Sequence, residues 1–236
     1  MSFEEIESAL AACINPVKRE ILPKFFKTGK GEYGEGDRFL GIVVPDTRRV
    51  ARQYKDAPFS VVEQLLASPW HECRLCGLLI LVERFKKADE QCRESIYEVY
   101  KANTQYINNW DLVDLSAPYI VGEYLLGKPR RQLYVWAQSP SLWEQRIAIV
   151  ATHAFVRRSD FTDACALSER LLSSRHDLMQ KAVGWTLREV GKRDKAVLTA
   201  FLDRYAAIMP RTMLRYSIER FPASERKHYM EQKGKR

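Results

Sequence analysis

The sequence predicts an all-α protein, a solenoid of antiparallel helix pairs forming a curved, basic concave groove. Three observations point there. Helical apolar spacing dominates, and from residue 59 onward nothing reads as sheet. A string that begins polar and turns apolar recurs five times, led by Arg74, Asp114, Arg146, Lys181 and Thr212, at intervals of 40, 32, 35 and 31 residues. Each interval holds one helix pair, and pairs that cannot bury their apolar faces alone stack. The third observation is charge: 38 Lys+Arg against 30 Asp+Glu, a net of +8. Regular stacking would align the five lead residues on one side, the concave one. Three of them are basic, which suits a phosphate track.

The elements follow in order. Residues 3–13 read as a helix with Ile6, Leu10 and Cys13 on one face. Pro16 starts a second helix carrying Ile21, Leu22, Phe25 and Phe26, which stops near Gly29. Residues 29–36 are glycine-rich but lack the order of a phosphate-binding loop, and no strand precedes them, so they read as a mobile connection. Pro45 opens a helix to Tyr54 whose Arg48, Arg49, Arg52 and Lys55 concentrate positive charge. Further helices are expected over 59–67, 70–85, 88–101, 106–115, 118–126 and 131–137. The series continues over 141–155, 161–172, 177–190, 194–205 and 210–221. Ser68, Ser116, Ser141 and Asp160 sit at cap positions. The chain reads as a single domain over 1–236, with a flexible charged tail at 223–236.

Composition excludes several classes. At 46% apolar and 29% charged residues, the chain is neither disordered nor fibrous. Its strictly apolar stretches, Leu78–Val82 among them, are too short for a bilayer, and its start is acidic, so no membrane partner or secretory signal is expected. Five cysteines leave one unpaired in any full disulfide scheme, which favours a reducing compartment, the cytoplasm. The positive net charge attracts polyanions.

Some residues stand out for chemistry. Cys73 and Cys76 form one Cys-x-x-Cys pair without a second, inside a strong helical pattern, and read as buried free thiols. His71, His153, His176 and His228 lie far apart, so no metal motif forms. In Asn108–Asp114, Trp110 and Asp114 are four apart and share a helix face, while Asp111 points elsewhere. One reading is a buried tryptophan beside capping carboxylates. The other places Asp114 at a helix corner, facing a groove, since Pro118 restarts a helix just beyond. Trp143 and Arg146 are three apart, as are Trp185 and Arg188. Each tryptophan taken alone suits a core. Recurring together, the aromatics and arginines also suit a platform for sugars, bases or phosphates.

On these residues the chain resembles a known family. Phe39–Arg52, Trp70-His71-Glu72, Asn109–Asp114, Trp143–Arg146, Lys181–Glu189 and Arg211–Phe221 are similar, in the same order, to the bacterial AlkD-type DNA alkylation repair glycosylases built from HEAT-like repeats. The resemblance implies release of positively charged N3- and N7-alkylated purines from double-stranded DNA, with no metal, no cofactor and no deep base pocket. It places the catalytic carboxylate on Asp114, the groove tryptophans on Trp110 and Trp185, and the groove arginine on Arg146. Arg74, Lys181, Arg188, Arg48 and Arg49 are the further candidate DNA contacts. A monomer without an obligate protein partner is expected. Two alternatives share most of these features. One is a non-catalytic HEAT-repeat protein that binds damaged or unusual duplex DNA. The other is a protein-binding scaffold, which calls for an apolar groove instead of a basic one.

Overall fold

The computed structural model describes residues 1–232. Within the single domain expected from the sequence, two compact units are distinguished, unit 1 over Met1–Tyr124 and unit 2 from Leu125 onward. Unit 1 holds α1 (Phe3–Ala11), α2 (Pro16–Phe25), α3 (Val44–Gln53), α4 (Phe59–Leu66), α5 (His71–Phe85), α6 (Glu90–Ala102) and α7 (Trp110–Asp114). Unit 2 holds α8 (Arg131–Ala137), α9 (Leu142–Ala151), α10 (His153–Val156), α11 (Thr162–Arg170), α12 (Asp177–Arg193), α13 (Lys195–Tyr205), α14 (Arg211–Ser217) and α15 (Ala223–Glu231). The fold is all-α. Among the described residues the sole β-type pairing is an isolated bridge between Arg38 and Trp70.

The centre of unit 1 is α5. Its apolar run leaves no polar face, and it is buried on all sides from His71 to Val82. Helices α1, α3, α4, α6 and α7 all pack against it. Glu72, in its first turn, is buried too. Its carboxylate accepts three backbone N–H bonds from Leu40 (2.9 Å), Gly41 (2.8 Å) and Ile42 (3.1 Å). That grip ties the extended segment before α3 to α5. Gly41 is required there: its φ is +91°, and a Cβ would lie 2.5 Å from the Arg19 nitrogen and 2.6 Å from the Asn15 carbonyl oxygen.

The second helix lies largely at the surface. Val17, Ile21 and Phe25 are exposed, and α2 buries no residue of its own; Phe26, just past its end, turns inward instead. The glycine-rich connection is closed by its own glutamates, with Gly29 donating to Glu32 (2.9 Å) and Gly31 to Glu35 (2.8 Å). The helix expected at 118–126 is a single π-helical turn, Pro118–Gly122, joined to α7 by a short turn. Ser116 is not a cap. Its hydroxyl is buried against the Tyr100 hydroxyl at 3.1 Å. Ser141 does cap α9, accepting from the Glu144 nitrogen.

In unit 2, α9, α11, α13 and α14 all pack on α12. Gly184 permits a close approach of α14, since a Cβ there would meet the Met213 carbonyl oxygen and Tyr216 Cβ at 2.5 Å. Each unit thus shares a core among helices that could not bury their faces alone, the stacking logic of helical repeats. Of the segment expected to be a flexible tail, residues 223–231 form α15 with Tyr229 buried, and residues 233–236 lie outside the described residues.

Gly41→Ala combines a left-handed backbone with a backbone clash, so it should destabilise the chain by roughly 2 kcal/mol or more. Urea denaturation of the purified variant checks this. Wild-type stability in the variant would show that the segment adapts freely.

Candidate functional site

The site in unit 1 is built around a buried chain of charges. Asp37, just before the extended segment, and Asp111, on α7, reach His71 from opposite sides. His71 Nδ1 lies 3.2 Å from Asp37 Oδ2, and Nε2 lies 2.9 Å from Asp111 Oδ2. All three side chains are at most 5% exposed. The Arg74 guanidinium ion-pairs with Asp37 and donates to the Ser68 carbonyl at 2.9 Å. Asn109 closes the network: its Nδ2 donates to Asp37 Oδ2 at 3.1 Å, and its Oδ1 accepts from the Trp110 nitrogen at 2.9 Å.

The electrostatics follow from this geometry. Burial works against charge on His71, but the Asp111 and Asp37 carboxylates outweigh it and hold its pKa up at about 9. Burial likewise opposes ionisation of Asp37, yet the bonds from His71 and Asn109 and the Arg74 charge hold its carboxyl below the usual carboxylate range. At neutral pH the cluster is two carboxylates against an imidazolium and a guanidinium, which is the balance a buried ionic group needs.

Aromatic rings continue from this network. Phe39 stacks on His71 at 4.5 Å and on Phe26 at 4.9 Å, and Phe26 stacks on Trp110 at 5.2 Å. Phe25 meets Trp110 edge-on at 5.8 Å. Trp110 is therefore half-buried, with one face already covered by Phe26. Beside it opens a cavity of about 430 Å³ with largely apolar walls, to which Phe25, Phe26, Trp110, Asp111 and Asp114 contribute. Asp114 ends α7 and is half-buried. The cap expected of Asp111 is instead made by Asn109, and Asp111 is a buried acceptor for His71.

Unit 2 carries the other predicted residues. Trp185 is half-buried on α12, with the His153 ring edge-on at 4.3 Å. His153 Nε2 lies 2.9 Å from the Thr186 hydroxyl. Burial, aided by Arg157 and Arg146, pushes the His153 pKa down to about 3, so this imidazole is neutral. Arg146 is 5% exposed and donates to the Leu178 carbonyl at 2.7 Å, securing the start of α12. Arg188 pairs with Glu219, and Lys181 pairs with Asp177 at 2.6 Å. In unit 1, Arg48 lies 3.8 Å from Glu83, Arg49 is largely exposed beside Asp46, and Arg74 is enclosed in the network. Cys73 and Cys76 are buried free thiols, and burial raises both pKa values, that of Cys73 to about 11. Among the described residues no three His, Cys, Asp or Glu side chains are grouped to hold a metal ion.

Sequence reading missed the partnership of Asp37, His71 and Asp111. Their separations of 34 and 40 residues match no local pattern, and the one available signal was a histidine-glutamate pair opening an apolar helix.

An all-α protein with a carboxylate and a tryptophan on one short helix, within a basic chain, defines a class of helical-repeat proteins. The family described as "DNA alkylation repair enzyme" matches residues 6–221, and the chain belongs to it. Its HEAT-like fold is shared with a solved structure titled "Predicted DNA alkylation repair enzyme from Enterococcus faecalis", at a TM-score of 0.70 and 13% identity. The match covers 89% of this chain and 97% of that one. Among curated proteins, no sequence matches the chain. Family membership gives the chain a role in DNA alkylation repair. No helix among the described residues is long and apolar enough to cross a membrane.

The raised His71 pKa makes stability depend on pH. The folded state binds this proton more tightly than the unfolded chain, whose histidine has the ordinary value of 6.5. The contribution, on the order of 3 kcal/mol, is complete below about pH 6.5 and is lost as pH rises to about 9. Denaturation midpoints measured from pH 6 to 9.5 should fall over that window. A flat profile would contradict a protonated His71.

Proposed function

We propose that the protein is a DNA glycosylase that hydrolyses the N-glycosidic bond of N3- and N7-alkylated purines in double-stranded DNA. One observation carries the reading. Asp114 stands one turn beyond Trp110 on α7, and the two side chains line one cavity. Family membership supplies the substrate context.

The chemistry suits a single carboxylate. An N3- or N7-alkylated purine is cationic and leaves without added acid. When the C1′–N bond breaks, its electron pair neutralises the purine and positive charge develops on the sugar. The Asp114 carboxylate stabilises that charge and orients a water molecule. The water oxygen then bonds C1′, and its proton passes to Asp114 or to solvent. The half-buried Trp110 indole offers its π-electrons to the same cation.

Binding energy comes from phosphates. Arg48, Arg49, Lys181 and Arg188 are the side chains in this reading that exchange their present partners for phosphate oxygens. Arg146 and Arg74 serve by holding α12 and Asp37 in place. Trp185 offers an aromatic contact to the same duplex. The working form is a monomer in the cytoplasm that uses no cofactor.

Asp114→Asn should keep duplex affinity within about two-fold and lower single-turnover release of N3-methyladenine by about 100-fold or more. Near-normal release by the folded variant would remove Asp114 from the mechanism. In a matched lesion series, cationic adducts should be released and uracil, hypoxanthine and 8-oxoguanine retained. Efficient release of a neutral base would require a proton donor that this reading lacks. Duplex affinity should fall at least about 10-fold between 50 and 200 mM salt, as expected for a few phosphate contacts. A salt-independent affinity would favour a protein-binding scaffold.

A further inference from the structure

The elements that carry Trp110 and Asp114 are small. Helix α7 has five residues, too few for stability from its own hydrogen bonds. Its placement must come from side chains, and two of them reach the same buried cluster. Asp111 bonds His71 Nε2, and Asn109 donates to Asp37, which holds His71 Nδ1. His71 itself is set by α5, whose first turn is gripped through Glu72 and Arg74. Rings add a second link, since Phe26 touches both His71 (5.0 Å) and Trp110 (5.2 Å). The imidazole and the ring beside it thus tie α7 to the centre of unit 1, in addition to the buried Leu112 and Val113 of α7 itself.

We propose that His71 is the positioning residue of the site: bridging Asp37 and Asp111, its ring fixes α7 so that Trp110 and Asp114 meet the alkylated nucleotide. The inference rests on the glycosylase reading for its effect on rate, though not for its effect on Trp110. A neutral imidazole has one N–H and can donate to one carboxylate only, whereas the charged ring donates to both. Loss of the proton therefore releases one of the two anchors and leaves a buried carboxylate facing a lone pair. The charged groups that face His71 are Asp37 from the loop, Asp111 from α7 and, through Asp37, Arg74 from α5. Glu72 lies next to it but is turned to the backbone of residues 40–42. The site should hold its geometry through neutral pH and loosen in the alkaline range without global unfolding.

The test compares two variants that each keep half of the bridge. His71→Gln extends an amide N–H to where Nε2 meets Asp111, and His71→Asn places one where Nδ1 meets Asp37. At neutral pH His71→Gln should retain release within about 10-fold of wild type, and His71→Asn should lose about 100-fold, with duplex affinity little changed in both. Wild-type release should fall with a midpoint near pH 9, while that of His71→Gln stays flat. A second readout needs no activity. With 5-fluorotryptophan incorporated, the Trp110 fluorine resonance, assigned by Trp110→Phe, should shift with the same midpoint in wild type and not in His71→Gln. Far-UV circular dichroism confirms that each protein stays folded across the range.

Equal release by both variants, or a Trp110 resonance insensitive to pH while the chain is folded, overturns the positioning role. If the wild-type protein releases no base, the glycosylase reading fails, and the fluorine titration alone decides whether His71 positions α7.

Discussion

The structure of unit 1 depends on one buried imidazole held between two carboxylates. His71 is enclosed by Phe26 and Phe39 as well as by Asp37 and Asp111, so neither of its two polar contacts is open to water. Such an arrangement is costly unless complete. Removing one partner of a buried pair typically costs about 3–5 kcal/mol, because the other charge is left without compensation. The network is also long-range. It joins the loop after α2, the start of α5 and α7. Glu72 extends the same logic by one residue, using its two oxygens to satisfy three backbone N–H groups of a segment that belongs to no helix.

This division of labour separates adjacent residues of like chemistry. Asp111 and Asp114 are three apart on one short helix and both reach the cavity, yet the first is buried on His71 and the second is half-buried. The same holds for the arginines. Arg74 and Arg146 lead two of the repeated strings, and both are buried, one on a carboxylate and one on a carbonyl. Net charge counts residues and says nothing of where their fields end. Arg48 and Arg52 both face Glu83, and Arg130 is divided between Asp160 and Asp163. The two histidines buried in the two units titrate in opposite directions for the same reason. Burial disfavours the charged form of both; carboxylates overcome it at His71, whereas at His153 nearby cations add to it.

The aromatic column gives Trp110 a character that a list of exposed tryptophans would miss. Phe26 covers one face and Phe25 contributes an edge, so the indole is braced before any ligand arrives. A braced ring loses little side-chain entropy on binding. Helix α2, which ends on Phe25 just before Phe26, turns Val17, Ile21 and Phe25 to solvent, an unusual exposure for i, i+4 and i+8 positions.

Sequence by itself determined the secondary structure and the class. Local apolar spacing, proline starts and short polar breaks set helices such as 131–137, which is realised residue for residue, because helix formation depends on neighbours three and four apart. The same local reading put Trp110 and Asp114 on one short element. It failed where the backbone is held from a distance. The helix at 118–126 contracts to a π turn, Asp111 is an ionic anchor in place of a cap, and the inward ring after α2 is Phe26. Only the tertiary structure decided that Asp37, His71 and Asp111 share a proton-dependent bridge. Pairings across 34 and 40 residues leave no periodic trace in the chain, and the charge of a histidine is set by what surrounds it in space.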